Sequence, residues 1–240
     1  MLKLKFLGRG SGLNPKEGNT SAYFEYKNNL FIFDCGGDVA GKLIQKGLLE
    51  NKDRITVFIT HVHDDHAGSL STLIYYCKYI LHKRPIIVCP CPSGLGEILK
   101  LEGVQPEDYE RITFRMAFNK RFKDLFIRLL VADVVHGNMS AYSYAIEFLD
   151  GYYIYYSGDT DSTMHFLLSD LINNVKPDHL LLYHEACMYE CPVHTSICRL
   201  YGLVPERYRS STYLMHIDSN FDEEYAKSLG FNVVQVEKEE

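Results

Sequence analysis

The chain has 240 residues, 46% hydrophobic and 23% charged, with a formal net charge of −6 and a pI near 5.9. That is enough apolar chain for one large folded domain, read over residues 1–240. The acidic balance argues against binding nucleic acid through bulk electrostatics, and no apolar run approaches the roughly 20 residues of a membrane helix.

In chain order, Met1 to Leu7 alternates like a strand and lacks the continuous apolar region of a signal peptide, so a cytoplasmic setting is expected. Gly8, Gly10 and Gly12 are followed by no helix pattern, which favours a tight turn over a dinucleotide-binding loop. Ser21–Tyr26 and Leu30–Phe33 flank a hairpin turn at Lys27-Asn28-Asn29. Helices are predicted over 38–49, 67–82 and 94–101, around strands at 55–60 and 86–88. Strand-like stretches follow at 111–115, 125–135, 141–148 and 152–156, with a turn at Asp150-Gly151. The last third reads as helices at 161–173, 192–201 and 222–229, and strands at 179–183, 212–215 and 232–236. Strands followed by helices in each half imply two central sheets with helices outside, a four-layer αββα sandwich of the α/β class. Seven cysteines show no disulfide framework, and Cys89-Pro90-Cys91 reads as core packing. Cys187, Cys191 and His194 have zinc-like spacing but lack a fourth ligand. The 18 tyrosines could stack on a base, but at strand spacing most are sheet residues.

Metal-binding side chains recur after apolar runs. His61-Val62-His63-Asp64-Asp65-His66 follows the strand Ile55–Thr60. Alternate side chains of an extended segment point the same way, so His61 and His63 can grip one ion. Asp65 and His66 fall where the chain turns into the next helix, better placed for a second ion. His136 ends the run 129–135, Asp159 lies in Ser157-Gly158-Asp159-Thr160, and His216 follows Thr212–Met215. Imidazole and carboxylate suit zinc, and also manganese or iron.

In that order, these motifs resemble the metallo-β-lactamase superfamily. The resemblance implies its sandwich fold and two divalent metal ions, Zn2+ first, with Mn2+ or Fe2+ also accommodated. It implies one ion on His61, His63 and His136, a second on Asp65, His66 and His216, and Asp159 bridging them. Asp64 stands where the nearest branch commonly has glycine and removes no ligand. His184-Glu185-Ala186-Cys187 and His194-Thr195-Ser196 resemble the His-Glu-Ala-Thr and His-Ser-Thr motifs of the ribonuclease Z branch, with Cys187 for Thr and the last pair reversed. By that resemblance His194 protonates the leaving oxygen, Glu185 holds its imidazole, and Asp65 orients the attacking water. Two ions about 3.5–4 Å apart suit phosphodiester chemistry, supplying hydroxide and neutralising the phosphate.

The tRNA-processing members of that branch carry a long arm between the third-motif His and the bridging Asp. Here only 22 residues separate His136 from Asp159, filled by a strand pair. Compact relatives include hydrolases of cyclic nucleotides, among them phage enzymes that destroy cyclic pyrimidine-nucleotide defence signals. The expected function is therefore a di-metal phosphodiesterase of a small nucleotide or cyclic nucleotide, with a homodimer expected from the resemblance. The alternatives are a tRNA 3′-endonuclease, which would need a basic patch such as Arg199, Arg207 and Arg209, and a lactonase or thioesterase. The carbonyl reactions would have no need of His194 and Glu185.

Overall fold

Period-two packing builds the first sheet, in the order β1 (Lys5–Gly8), β2 (Ser21–Tyr26), β3 (Asn29–Phe33), β4 (Arg54–Phe58), β5 (Ile86–Val88) and β6 (Glu110–Ile112). The structure, a computed structural model, describes residues 2–90, 92–113, 115–161 and 165–237. β1, β2 and β3 pair antiparallel, and β3 to β6 pair parallel. The second sheet repeats the scheme. β7 (Phe126–His136), β8 (Met139–Phe148) and β9 (Tyr153–Tyr156) are antiparallel; β9, β10 (Leu180–Glu185), β11 (Thr212–Met215) and β12 (Asn232–Val233) are parallel.

Both faces of the central strands are buried, so they are apolar at nearly every position. In β3, Phe31 and Phe33 enter the core between the sheets, while Leu30 and Ile32 meet α1 (Val39–Gln45) and α3 (Leu70–Tyr79) on the outer side. In β10, Leu181 and Tyr183 face inward and Leu180 and Leu182 pack with α6 (Phe166–Asn174) and α7 (Ile197–Leu203). The result is the four-layer αββα sandwich the sequence leads one to expect. Its inner core is aromatic: Phe33 stacks on Tyr156 and Phe58 with centroids 4.6 and 4.8 Å apart.

Several boundaries move for local reasons. Lys27 and Asn28 both adopt positive φ, 46° and 60°, closing a two-residue turn that releases Asn29 into β3. The predicted strand at 111–115 stops at Ile112, and a helix, α5 (Arg115–Phe122), follows it. Among its described side chains, Phe118 and Phe122 enter the core, and two residues are too few to read as periodic. α7 begins at Ile197, not 192, because Ser196 caps it by accepting from Arg199 N; His194 therefore lies in a loop. Cys91 and residues 162–164 of the predicted helix lie outside the described residues. Between His136 and Asp159 the chain is taken up by β8 and β9.

Phe33 is fully buried at the centre of the aromatic layer. Phe33→Ala is expected to destabilise the fold by about 3–5 kcal/mol in urea unfolding; a loss below about 1 kcal/mol would show the layer is not tightly packed.

Candidate metal centre

Ligand-type side chains collect at the edge of the sandwich where β4, β7, β9, β10 and β11 run out. Past β4 the chain stays extended through His63, then turns into α2 (Asp64–Ala67), which brings Asp65 and His66 back beside His61. Tyr142 N donates to Thr60 O (3.0 Å), tying this loop to the second sheet. Gly158 (φ +61°) packs against the same loop: a Cβ there would meet the Thr60 Cβ at 2.8 Å. Only glycine lets Asp159 come this close to His61.

Three overlapping groups of donors form among the described residues, and two of the three match the expected ligand sets. His63 Nδ1 lies 2.9 Å from His61 Nε2 and 3.2 Å from His136 Nε2. On the other side, His66 Nε2 is 3.4 Å from His216 Nε2, and Asp65 Oδ2 is 3.3 and 3.2 Å from these two nitrogens. Asp159 reaches both groups. Its Oδ1 is 3.3 Å from His66 Nε2, and its Oδ2 is 3.4 Å from His216, 3.8 Å from His136 and 3.9 Å from His61. Zinc–nitrogen bonds of about 2.0–2.1 Å in a tetrahedron put ligand nitrogens roughly 3.3 Å apart, close to these spacings.

The donors fit cations for a second reason. Asp159 is buried, and its Oδ1 accepts no hydrogen bond among the described residues. Hydrogen bonds to the far nitrogens orient the rings: His136 Nδ1 donates to Val193 O (2.8 Å) and His66 Nδ1 to Asp34 Oδ2 (2.9 Å), leaving both Nε2 atoms facing inward. Asp34, held in turn by Thr60 N and Oγ1, plays a part the sequence does not disclose, since an Asp at a strand end carries no metal-specific spacing. Asp34 and His216 also adopt left-handed backbone, φ +61° and +54°, at a cost on the order of 1–2 kcal/mol each.

Charge is divided unevenly. Burial disfavours the charged form of His66, yet Asp159 and Asp34 outweigh it and raise its pKa well above the usual value. His216 is likewise opposed by burial but pushed up to about 10 by Asp159, Asp65 and Glu185. His61 and His63 go the other way, lowered by burial and by neighbouring imidazoles. The same carboxylates that favour protons on His66 and His216 would favour a cation there.

Glu185 and His194 adjoin this centre. Glu185 Oε1 accepts from Thr160 N (2.6 Å) and Thr195 N (3.2 Å), and Oε2 accepts from His194 Nδ1 (2.6 Å). Both Glu185 oxygens accept hydrogen bonds, whereas Asp159 Oδ1 has only the His66 ion pair; Glu185 also shares the third donor group with Asp159, His194 and His216. Burial opposes the charge on His194, but Glu185 raises its pKa overall. The reversed Thr195-Ser196 pair has local work: Thr195 Oγ1 donates to Thr160 O (2.9 Å), and Ser196 caps α7. Cys187 Sγ donates to Tyr189 O (3.0 Å) and joins no ligand group among the described residues. Asp64 lines the adjoining cavity without joining either group.

A family model described as anti-Pycsar protein Apyc1 matches residues 2–239. The chain belongs to that family. A relative of the same description from Bacillus phage 010DV004 is 26% identical over 250 residues, covering 95% of this chain and 93% of its own. Among solved structures, the metallo-β-lactamase fold protein YhfI from Bacillus subtilis has a TM-score of 0.71 at 15% identity, covering 97% and 95% of the two chains. Human short-form tRNase Z has a TM-score of 0.68 at 18% identity, covering 97% and 96%. These likenesses show the metallo-β-lactamase fold.

Because the raised pKa values keep protons on His66 and His216 that a cation must displace, zinc binding is expected to release protons, and its affinity to fall progressively as pH drops below about 10. Titration calorimetry in buffers of different ionisation enthalpy checks this; heats independent of the buffer would contradict it.

Proposed function

We propose that the protein is a di-metal phosphodiesterase that opens a small nucleotide phosphodiester, a cyclic nucleotide first of all. In this reading His61, His63 and His136 hold one divalent cation, Asp65, His66 and His216 hold the other, and Asp159 is shared. When bound, the cations supply Lewis-acid charge to the phosphate and make water a nucleophile near neutral pH. Asp65 lines the cavity with its pKa lowered; burial opposes this, but hydrogen bonds from His216 and His66 prevail, so the carboxylate stays charged and can accept a hydrogen bond that orients incoming water. Water adds to phosphorus, an ester P–O bond breaks, and the departing oxygen needs a proton.

The observation that carries this reading is the His194–Glu185 pair. His194 spends Nδ1 on Glu185 and keeps Nε2 for the substrate, while Nδ1 lies 3.9 Å from Asp159 Oδ2. The pair places a proton donor where an alkoxide leaving phosphorus needs one. The same chemistry would cut RNA, but the described residues lining the cavity include no Lys or Arg. The candidate basic patch is engaged elsewhere. Arg199 pairs with Glu190 (2.6 Å), and Arg207 and Arg209 lie over the rings of Tyr208 and Tyr201. Membership of the anti-Pycsar family and the compact strand pair between His136 and Asp159 support a small substrate. Zinc as the resident metal, a single domain over the 240 residues, a homodimer and a cytoplasmic setting belong to the same proposal. They rest on the softness of the ligands, the reduced cysteines and the resemblance of the motifs. No helix among the described residues is long and apolar enough to cross a membrane.

His194→Ala is expected to lower kcat on a cyclic nucleotide by about 10²–10⁴-fold, as loss of a general acid does. It should change turnover of bis(p-nitrophenyl) phosphate far less, because nitrophenolate leaves without a proton. Steady-state kinetics on both substrates makes the comparison; no loss on the cyclic nucleotide would discard His194 as the acid.

A further inference from the structure

The cavity beside the ligands has a volume of about 1090 Å³, far more than one phosphate occupies. Apart from the histidines, the charged side chains lining it are Asp64, Asp65, Asp159 and Asp218, so among the described residues it offers a second phosphate no Lys or Arg. It does offer two outstanding apolar side chains. Leu13 is 94% exposed and Tyr189 58% exposed, and both line this cavity from separate loops.

A single exposed apolar residue means little. These two, however, are held in place. Ser11 N and Asn14 Nδ2 donate to Ile217 O (3.0 and 3.1 Å), and Ile217 N donates to Arg9 O (2.9 Å). The loop of Tyr189 is fastened to the same segment by Met188 N, which donates to Asp218 Oδ2 (2.8 Å), and is braced internally by Cys187 Sγ donating to Tyr189 O. Gly12 presses against Asp65, where a Cβ would lie 2.8 Å from Oδ2, so Leu13 stands one residue from a ligand-type carboxylate. Both side chains are thus mounted on backbone anchored just past His216, with their surface left open to the cavity.

We propose that Leu13 and Tyr189 form a subsite that takes the nucleobase of the substrate while its phosphate lies at the His and Asp cluster. The inference rests on the reading of the protein as a nucleotide phosphodiesterase. A base is the flat, uncharged part of such a molecule, and stacking and apolar contact are how a protein without nearby cations holds it.

The test uses the full chain loaded with Mn2+ and two substrates: adenosine 3′,5′-cyclic phosphate, and ribose 3,5-cyclic phosphate without a base. Tyr189→Ala and Leu13→Ser are expected to raise KM for the nucleotide about tenfold or more, with kcat within about twofold. Tyr189→Phe retains wild-type KM, and the base-free substrate is hydrolysed equally by all forms. A KM for the nucleotide that none of the substitutions moves, or an equal loss on both substrates, overturns the subsite. If the wild type turns over neither, the proposed reaction fails, and equilibrium dialysis of adenosine decides the subsite instead. Retention by wild type and Tyr189→Phe with loss in Tyr189→Ala supports it, whereas equal binding by all forms overturns it.

Discussion

A buried carboxylate with an oxygen left unbonded governs this molecule. Asp159 is 2% exposed, and uncompensated burial of such a charge costs several kcal/mol. The imidazoles of His61, His66, His136, His194 and His216 each come within 3.9 Å of its oxygens, and its charge favours the protonated forms of His66 and His216. Much of the nearby architecture serves to hold that arrangement together. Gly158 permits the close approach, Tyr142 ties the two sheets at Thr60, and Thr60 and Asp34 hold His66 from behind.

The two acidic groups at the centre differ in how fully they are satisfied. Glu185 accepts from two backbone amides and one imidazole, so its charge is spent on orienting His194. Asp159 retains capacity for a further partner. That difference is the geometric basis on which the proposed roles, His194 with Glu185 for the proton and Asp159 for the cations, are divided.

The site was largely legible in the sequence because its residues sit immediately after apolar strands, where side-chain direction follows from period two. The His61–His66 run, His136, Asp159 and His216 all belong to that class, and the structure brings them together. The sandwich was legible for the same reason, since strands buried on both faces read as continuous apolar runs. What escaped depends on distant partners. Asp34 acquires its importance only from meeting Thr60 and His66, and Gly158 only from meeting Thr60. α5 escaped because Phe118 and Phe122, the core side chains described in it, are only two apolar positions four residues apart. The loop position of His194 follows from a serine cap that outweighs the helical composition ahead of it.

The central claim is that Asp159 lies between two cations. Anomalous scattering from crystals of the zinc-loaded protein, measured on both sides of the zinc absorption edge, tests it directly. The account predicts two peaks about 3.5–4 Å apart, one among His61, His63 and His136 and one among Asp65, His66 and His216, with Asp159 contacting both. A single peak, or a pair that leaves Asp159 without contact, would contradict it.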